Sequence, residues 1–237
     1  MKKYKKLLKG INYKKLRKTL DFWYFSKTFN KKFNFYTTES NIDLDDIFRI
    51  RYQVYCVERG FLDKDNYPDN RETDEYDKHS VHFILRNNED EIAASVRLIM
   101  NSDKPFPIEK HFNLSLHVPI DSRDKLAEIS RLVVAKSYRK KFLMIALIKG
   151  MFAYVSKMGI THVYSVLDDS LHPVLLRLGL PFKRIGQPTI YQGLTSPYII
   201  EVNEMLEALE EKNPLLHKYM SNGDIEYDDE NNSYTIH

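Results

Sequence analysis

Hydrophobic positions along the chain change their spacing several times, and each change marks an element. Tyr4, Leu7, Leu8, Ile11, Leu16, Leu20, Trp23, Phe25 and Phe29 fall at loosely helical intervals among lysines, interrupted at Gly10. Asp43, Asp45 and Asp46 open a second helical stretch at the end where the helix dipole favours negative charge. Its stripe of Leu44, Ile47, Phe48, Val54 and Tyr55 runs to about Arg59 and stops at Gly60. Arg51 lies inside that stripe, so the spacing predicts a carboxylate partner for a buried guanidinium. Residues 63–78 make a polar, acid-rich loop, and alternation follows: a strand over 79–85, a turn at 87–90 and a strand over 91–100.

Beyond a loop holding Pro105, Pro107 and Pro119, residues 127–135 read as a strand and 142–157 as a long apolar helix ended by Gly159. A buried strand over 161–167 and a short helix over 170–178 come next, then strands over 182–193 and 197–202 and a helix over 203–212. Acidic polar residues from 222 onward are expected to be partly disordered. A strand, helix, strand crossover beside an antiparallel hairpin predicts an α/β (α+β) fold, with a mixed, mostly antiparallel central sheet and helices on both faces. The chain divides into a basic amphipathic arm at 1–35, a single domain at 36–215 and an acidic polar tail at 216–237.

Composition then narrows what such a fold does. With 237 residues, 43% hydrophobic and 29% charged, the chain buries a core without staples. Only 8 Gly and 9 Pro exclude collagen-like and low-complexity readings. The single cysteine, Cys56, excludes an internal disulfide and a cysteine metal cluster and points to a reducing, cytoplasmic compartment. The most apolar stretch, 142–155, is interrupted by Lys149 and falls short of the roughly 18 residues a membrane span needs. A net charge of +3 conceals an asymmetry: residues 1–32 hold 12 basic residues against Asp21 alone, leaving the remainder at −8. Such an arm suits an anionic partner, whether a membrane surface, with a peripheral inner-membrane contact through residues 1–35, a nucleic acid or an acidic protein. The alternatives are a solvated lysine-rich tail and an apolar stripe packed on the body of the domain. Trp23 and Tyr24 offer stacking surfaces to a nucleic acid, which is the weaker reading.

Charges inside strands of Val, Leu and Ile are costly unless paired. Glu72-x-Asp74-x-x-Asp77, Arg97-Leu98 and Glu128-x-Ser130-Arg131 are such clusters, and Arg51 with Val54-Tyr55 is a fourth. Together they resemble the autoinducer synthase-like branch of the GNAT acyltransferase fold over residues 40–200. That branch contains acyl-homoserine lactone synthases, N-acyl amino acid synthases and acyltransferases found beside PEP-CTERM/exosortase systems. The stretch from Val54 to Phe61 and His79-Ser-Val-His82 are most similar to the last two types. Homoserine lactone enzymes typically carry a tryptophan after the first helix, whereas Trp23 is the only one here.

The resemblance implies a GNAT-like domain at 36–215 that transfers a fatty acyl group from acyl carrier protein, or from acyl-CoA, to the amino group of an amino acid or related amine. No cofactor is held and no metal is implied. The alternatives are an acyl-homoserine lactone synthase using S-adenosylmethionine and a non-catalytic lipid- or membrane-binding module. Acetyl-CoA-using relatives place glycines after the central strand to hold a pyrophosphate. Here that stretch reads Arg139-Lys140-Lys141-Phe142-Leu143-Met144, so Arg139, Lys140 and Lys141 form a basic patch suited to an acidic carrier protein.

Attack of an amine on a thioester needs a base and a binder for the oxyanion. The catalytic candidates are Glu128 as base or amine-positioning group, Arg97 or Arg131 as ligand for an acceptor carboxylate, and Glu72. Asp74, Asp77, Arg51, Tyr55 and Ser130 are the substrate-binding candidates, with Arg51 supporting the acidic loop. Alternation puts Glu128 and Ser130 on one strand face and Arg131 on the other, so a shared cleft requires a β-bulge near 130–134. His79 and His82 are three apart and face opposite ways, a poor metal pair. Cys56 reads as a small buried hydrophobe, and Tyr191 and Tyr198 as candidate walls of an acyl tunnel.

Overall fold

The computed structural model describes residues 21–22, 24–115, 122–139, 142–222, 225–228 and 233–236. Residues 1–20 of the basic arm, Trp23, Lys140 and Lys141 lie outside the described residues. One sheet is built from β1 (Phe33–Thr38), β2 (Ser80–Asn87), β3 (Ile92–Ile99), β4 (Leu126–Val134) and β5 (His162–Asp168). It is completed by β6 (Lys183–Arg184), β7 (Thr189–Ile190), β8 (Leu194–Glu201), β9 (Ile225–Asp228) and β10 (Ser233–Ile236). The order is β6-β8-β5-β4-β3-β2-β1-β10-β9, with β7 also on β8. Among these strands only β4 and β5 pair in parallel, as a crossover helix between consecutive strands requires.

Among the described residues, residues 24–28 are helical, and the sheet is covered by α1 (Asn41–Tyr52), α2 (Pro107–His111), α3 (Leu143–Lys157), α4 (His172–Leu178), α5 (Val202–Lys212) and α6 (Pro214–Ser221). On one face α3 buries Leu143, Leu147, Met151 and Tyr154 against Phe83, Leu85, Val96 and Leu98, with α5 and α6 beside it. On the other, Ile47 and Phe48 of α1 pack on Ile84, and Ile50 and Val54 pack on Val133. Ile108 of α2 joins Ile99, Leu126, Tyr164 and Ile199 on that same side. Successive residues of β2, Phe83 and Ile84, serve opposite cores, which is the strand period expressed as two layers.

Gly150 brings α3 close to β1, because a methyl group there would collide with the buried ring of Phe35. Gly150→Ala should therefore destabilise the fold by about 1–2 kcal/mol, the overpacking cost outweighing alanine's better helix propensity. A chemical denaturation midpoint that does not fall would show that the Phe35 ring has room to move.

Several expected boundaries shift for physical reasons. The arm does not end at residue 35, since β1 spans it and Phe22 and Phe29 are buried in the main core. The helix read to Arg59 changes at Gln53 into a π-helix through Glu58, and Gly60 follows with φ +61°. The proline-bearing loop contains α2, with Pro107 in the first turn where a missing N–H costs nothing. The strand read over 182–193 shrinks to β6 and β7, separated by Gly186 and Pro188. The acidic tail at 216–237 instead supplies the end of α6 and the hairpin β9–β10. Ile236 and Ser233 are buried there, while Glu226 and Asp228 mark β9 as a charged edge strand of the kind that resists edge pairing. No described helix is long and apolar enough to cross a membrane.

Candidate active site

The site begins with a fault in the sheet. β3 and β4 pair as Ile99↔Glu128, Leu98↔Ile129 and Arg97↔Ser130, then as Ser95↔Val133 and Ala94↔Val134. Arg131 and Leu132 therefore share the space opposite Val96, which is the expected bulge. Arg131 adopts φ +51°, a conformation uncommon for arginine, and this turns its side chain to the side Ser130 faces. β5 leaves β4 at the same point: their pairing stops at Ile129↔Ser165, while β5 continues along β8 to Asp168↔Thr195. The two parallel strands part beside the bulge and leave a gap.

Three arginines and three carboxylates close around that point. Arg51, fully buried on α1, donates from Nε to Glu72 and from Nη1 to Asp77 at 2.7 Å. Arg97 donates from Nε to Ser130 Oγ at 2.9 Å, from Nη1 to Asp74 and Asp77, and from Nη2 to Asp74. Arg131 donates from Nε and Nη2 to Glu72 and from Nη2 to Asp74 at 3.0 Å. Burial raises the Glu72, Asp74 and Asp77 carboxyls, but the arginines outweigh it and hold all three below the ordinary range. The Nε2–H of His82 donates to the Asp77 carbonyl at 3.1 Å, which pins the acidic loop to β2, and burial lowers the pKa of the imidazole against the opposing pull of Asp77.

Glu128 stands apart from this network. It is 2% exposed, and its Oε2 accepts the N–H of Ile108, in the first turn of α2, at 3.0 Å. Among the described residues no cation forms an ion pair with it. Burial pushes its carboxyl up to about 8, against the opposing pull of the Ile108 N–H and of Arg97 and Arg131. A carboxyl kept near neutrality in this way is the kind of group that moves protons at physiological pH.

The walls come from further along the chain. The π-helix turns Tyr55 toward β4, where its hydroxyl donates to the Leu132 carbonyl at 3.3 Å and its ring lies 5.6 Å from the Arg131 guanidinium. Helical irregularities of this kind recur at functional sites. Tyr191 stacks on His111 with ring centroids 4.5 Å apart and meets Phe112 edge-on. Tyr198 is elsewhere, donating to Asp169 and accepting from Arg184. Arg139 donates to Glu58 at 2.6 Å and to the Val134 carbonyl, so it ties the end of β4 to the π-helix and shares its charge with a carboxylate. Cys56 is buried, and among the described residues no group of His, Cys, Asp and Glu is arranged to hold a metal.

Arg51, Tyr55, Glu72, Asp74, Asp77, Arg97, Glu128, Ser130 and Arg131 thus meet on one side of the sheet, whereas Arg139 and Tyr198 are engaged elsewhere, and Lys140 and Lys141 lie outside the described residues. The sequence reading missed Ile108, His111 and the α2 turn that presents them. The Phe106-Pro107 step, with Glu109 accepting the Phe106 N–H at 2.9 Å, is the helix-start signal that could have found it.

A mixed sheet that parts between its two parallel strands, with a raised carboxyl at the parting and an arginine turned in by a bulge, is that of a GNAT-like acyltransferase. The chain belongs to the FeeM N-acyl amino acid synthase family, whose model matches residues 46–201. It is an acyltransferase of the N-acyl amino acid synthase type. Similar solved structures include the CoA-dependent acyl-homoserine lactone synthase BjaI with SAM and isopentyl-CoA, 20% identical, covering 80% of this chain and 90% of that one with a TM-score of 0.65. FeeM from uncultured soil microbes is 13% identical, covering 74% and 94% with a TM-score of 0.53. A putative N-acetyltransferase from Lactobacillus plantarum is 13% identical, covering 72% and 98%, also with a TM-score of 0.53.

Proposed function

We propose that the protein joins a fatty acyl chain, delivered as a thioester on acyl carrier protein, to the amino group of an amino acid. Glu128 carries this reading, as a buried carboxyl with its pKa pushed up to about 8 beside the gap between β4 and β5. Ionised, it takes a proton from the acceptor ammonium. The freed amine attacks the thioester carbonyl carbon, the carbon–oxygen π pair moves to oxygen, and collapse expels the carrier thiolate, which takes up the proton that the attacking nitrogen sheds, while Glu128 returns its own proton to solvent. Main-chain N–H groups of β4 beyond Ile129, where β5 no longer pairs, are placed to receive the oxyanion.

Between the two candidate arginines, we assign the acceptor carboxylate to Arg131: its Nε and Nη2 are bonded to Glu72 and Asp74, but among the described residues its Nη1 donates to none, whereas all three nitrogens of Arg97 are used. Arg97 is engaged by Ser130, Asp74 and Asp77 and serves to hold the acidic loop, and Arg51 does the same through Glu72 and Asp77. A carrier-bound donor offers one phosphodiester and needs no glycine cradle, and Arg139, Lys140 and Lys141 suit an acidic carrier. The enzyme would work in the cytoplasm, with the basic arm available to an anionic membrane surface.

The test is mass spectrometry of lipid extracts from cells expressing wild type or Glu128→Gln, followed by assays of purified enzyme with acyl carrier protein and CoA thioesters. N-acyl amino acids found with wild type alone, and faster turnover of the carrier thioester, are expected. Acyl-homoserine lactones would install the S-adenosylmethionine reading instead. Identical extracts from both strains would overturn the catalytic assignment of Glu128.

A further inference from the structure

The described part of the arm packs on the segment that follows the central strand. Phe22 meets Phe142 edge-on at 5.7 Å and Tyr219 of α6 at 5.3 Å. Phe25 lies 5.6 Å from Phe142 and 5.4 Å from Phe29. Phe29 stacks on Phe33 at 5.5 Å, and Phe33 meets Tyr138 edge-on at 5.9 Å. A continuous line of rings thus runs from α6 through the arm and touches both ends of residues 138–142. Tyr138 is held from the other side as well, by Asn87 and Glu91.

Phe142 is the entry residue of α3 and has φ +51° and ψ 7°, the left-handed conformation that glycine adopts without strain and a bulky side chain resists. No side-chain hydrogen bond caps the helix there. A residue stays in such a conformation only where its surroundings over-determine it. Its carbonyl accepts from the N–H groups of Ile145 and Ala146, and its ring is held by the arm, since Phe22 and Phe25 both pack on it.

We propose that Phe22 and Phe25, the latter backed by Phe29, are positioning residues for the acyl donor: they brace Phe142 in its left-handed conformation and so fix the first turn of α3. The device replaces glycine. Where a glycine would reach this backbone conformation unaided, this chain keeps a phenylalanine and holds it with a second element. The inference rests on the reading that the segment between β4 and α3 faces the donor.

Steady-state kinetics of the full chain, run well below the unfolding midpoint, test the brace with Phe25→Ala, Phe142→Gly and the double variant. Phe25→Ala should raise the KM for a fatty acyl carrier protein about tenfold, the factor equivalent to 1.4 kcal/mol, with acceptor KM unchanged. Phe142→Gly reaches the left-handed conformation without help, so adding Phe25→Ala to it should leave donor KM where Phe142→Gly alone puts it. Equal rises in both KM values, or effects that multiply in the double variant, would overturn the proposal. Arg139→Glu separates it from the donor reading. If Arg139→Glu leaves donor KM unchanged, the donor reading fails; if it raises donor KM and Phe25→Ala does not, only the brace fails.

Discussion

Replacing Glu128 with glutamine should lower kcat by about 10²–10⁴-fold, the range for losing a positioned base, and should also make the fold more stable above neutral pH. Both effects have one cause. The carboxyl is buried, among the described residues only the Ile108 N–H donates to it, and its pKa is pushed up from an ordinary 4.5 to about 8. Between those values the folded chain keeps a proton that the unfolded chain releases, so this group's contribution to stability is complete below the ordinary value and is lost as pH rises through the folded one. Glutamine has nothing to ionise and keeps an oxygen for the Ile108 N–H. Urea denaturation at pH 6 and pH 9 should show the variant gaining on wild type at the higher pH.

Catalysis runs the other way, because the base must be ionised before it takes a proton. Wild-type kcat/KM should climb with pH and level off above about 8. Glu128→Gln should lack that inflection, and any slope it retains belongs to the acceptor's own amine. A variant with wild-type turnover, or with the same inflection at reduced rate, would remove Glu128 from the proton path. The trade of stability for a poised carboxyl is typical of a functional site.

What the sequence made legible follows from where costs are visible in a single chain. A guanidinium at position 51, within an apolar helical stripe, demands a carboxylate, and Glu72 and Asp77 supply it. Glu128, Ser130 and Arg131 cannot share a cleft on a regular strand, and the register shift opposite Val96 resolves the conflict. Features hidden from the sequence rest on main-chain groups or on distant pairings. The Ile108 N–H has no side-chain signature, and α2 is too short for a helical period to register. Arg139 reads as a free cation until Glu58, 81 positions away, is placed beside it. Phe142 carries no hint of its left-handed backbone, and the periodicity of the arm's aromatic residues does not say which surface they pack on. In the sequence Glu72 reads as a catalytic candidate and Asp74 and Asp77 as substrate-binding ones, and in the fold all three accept hydrogen bonds from arginines.

That last pairing sets the second large effect. Glu72→Gln should cost about 3–5 kcal/mol of unfolding free energy, the penalty for leaving a buried charge uncompensated. The cluster is balanced, with Arg51, Arg97 and Arg131 against Glu72, Asp74 and Asp77, and Glu72 is the only member bonded to both Arg51 and Arg131. Because its carboxyl is held below the ordinary range, its contribution is present at neutral pH and is lost as pH falls through the folded pKa. The gap between wild type and variant should therefore be widest near pH 7 and should close toward the acid limb. Removing Arg51 together with Glu72, as Arg51→Met with Glu72→Leu, restores the balance with apolar side chains and should cost less than Glu72→Gln alone. Additive losses in that double variant would mean that the two residues act through separate contacts, and a Glu72→Gln gap that persists at low pH would mean that its packing, not its charge, matters. Acceptor KM measured on the double variant completes the argument: with Arg131 still held by Asp74, it should stay within about tenfold of wild type, a coupling of at most about 1.4 kcal/mol.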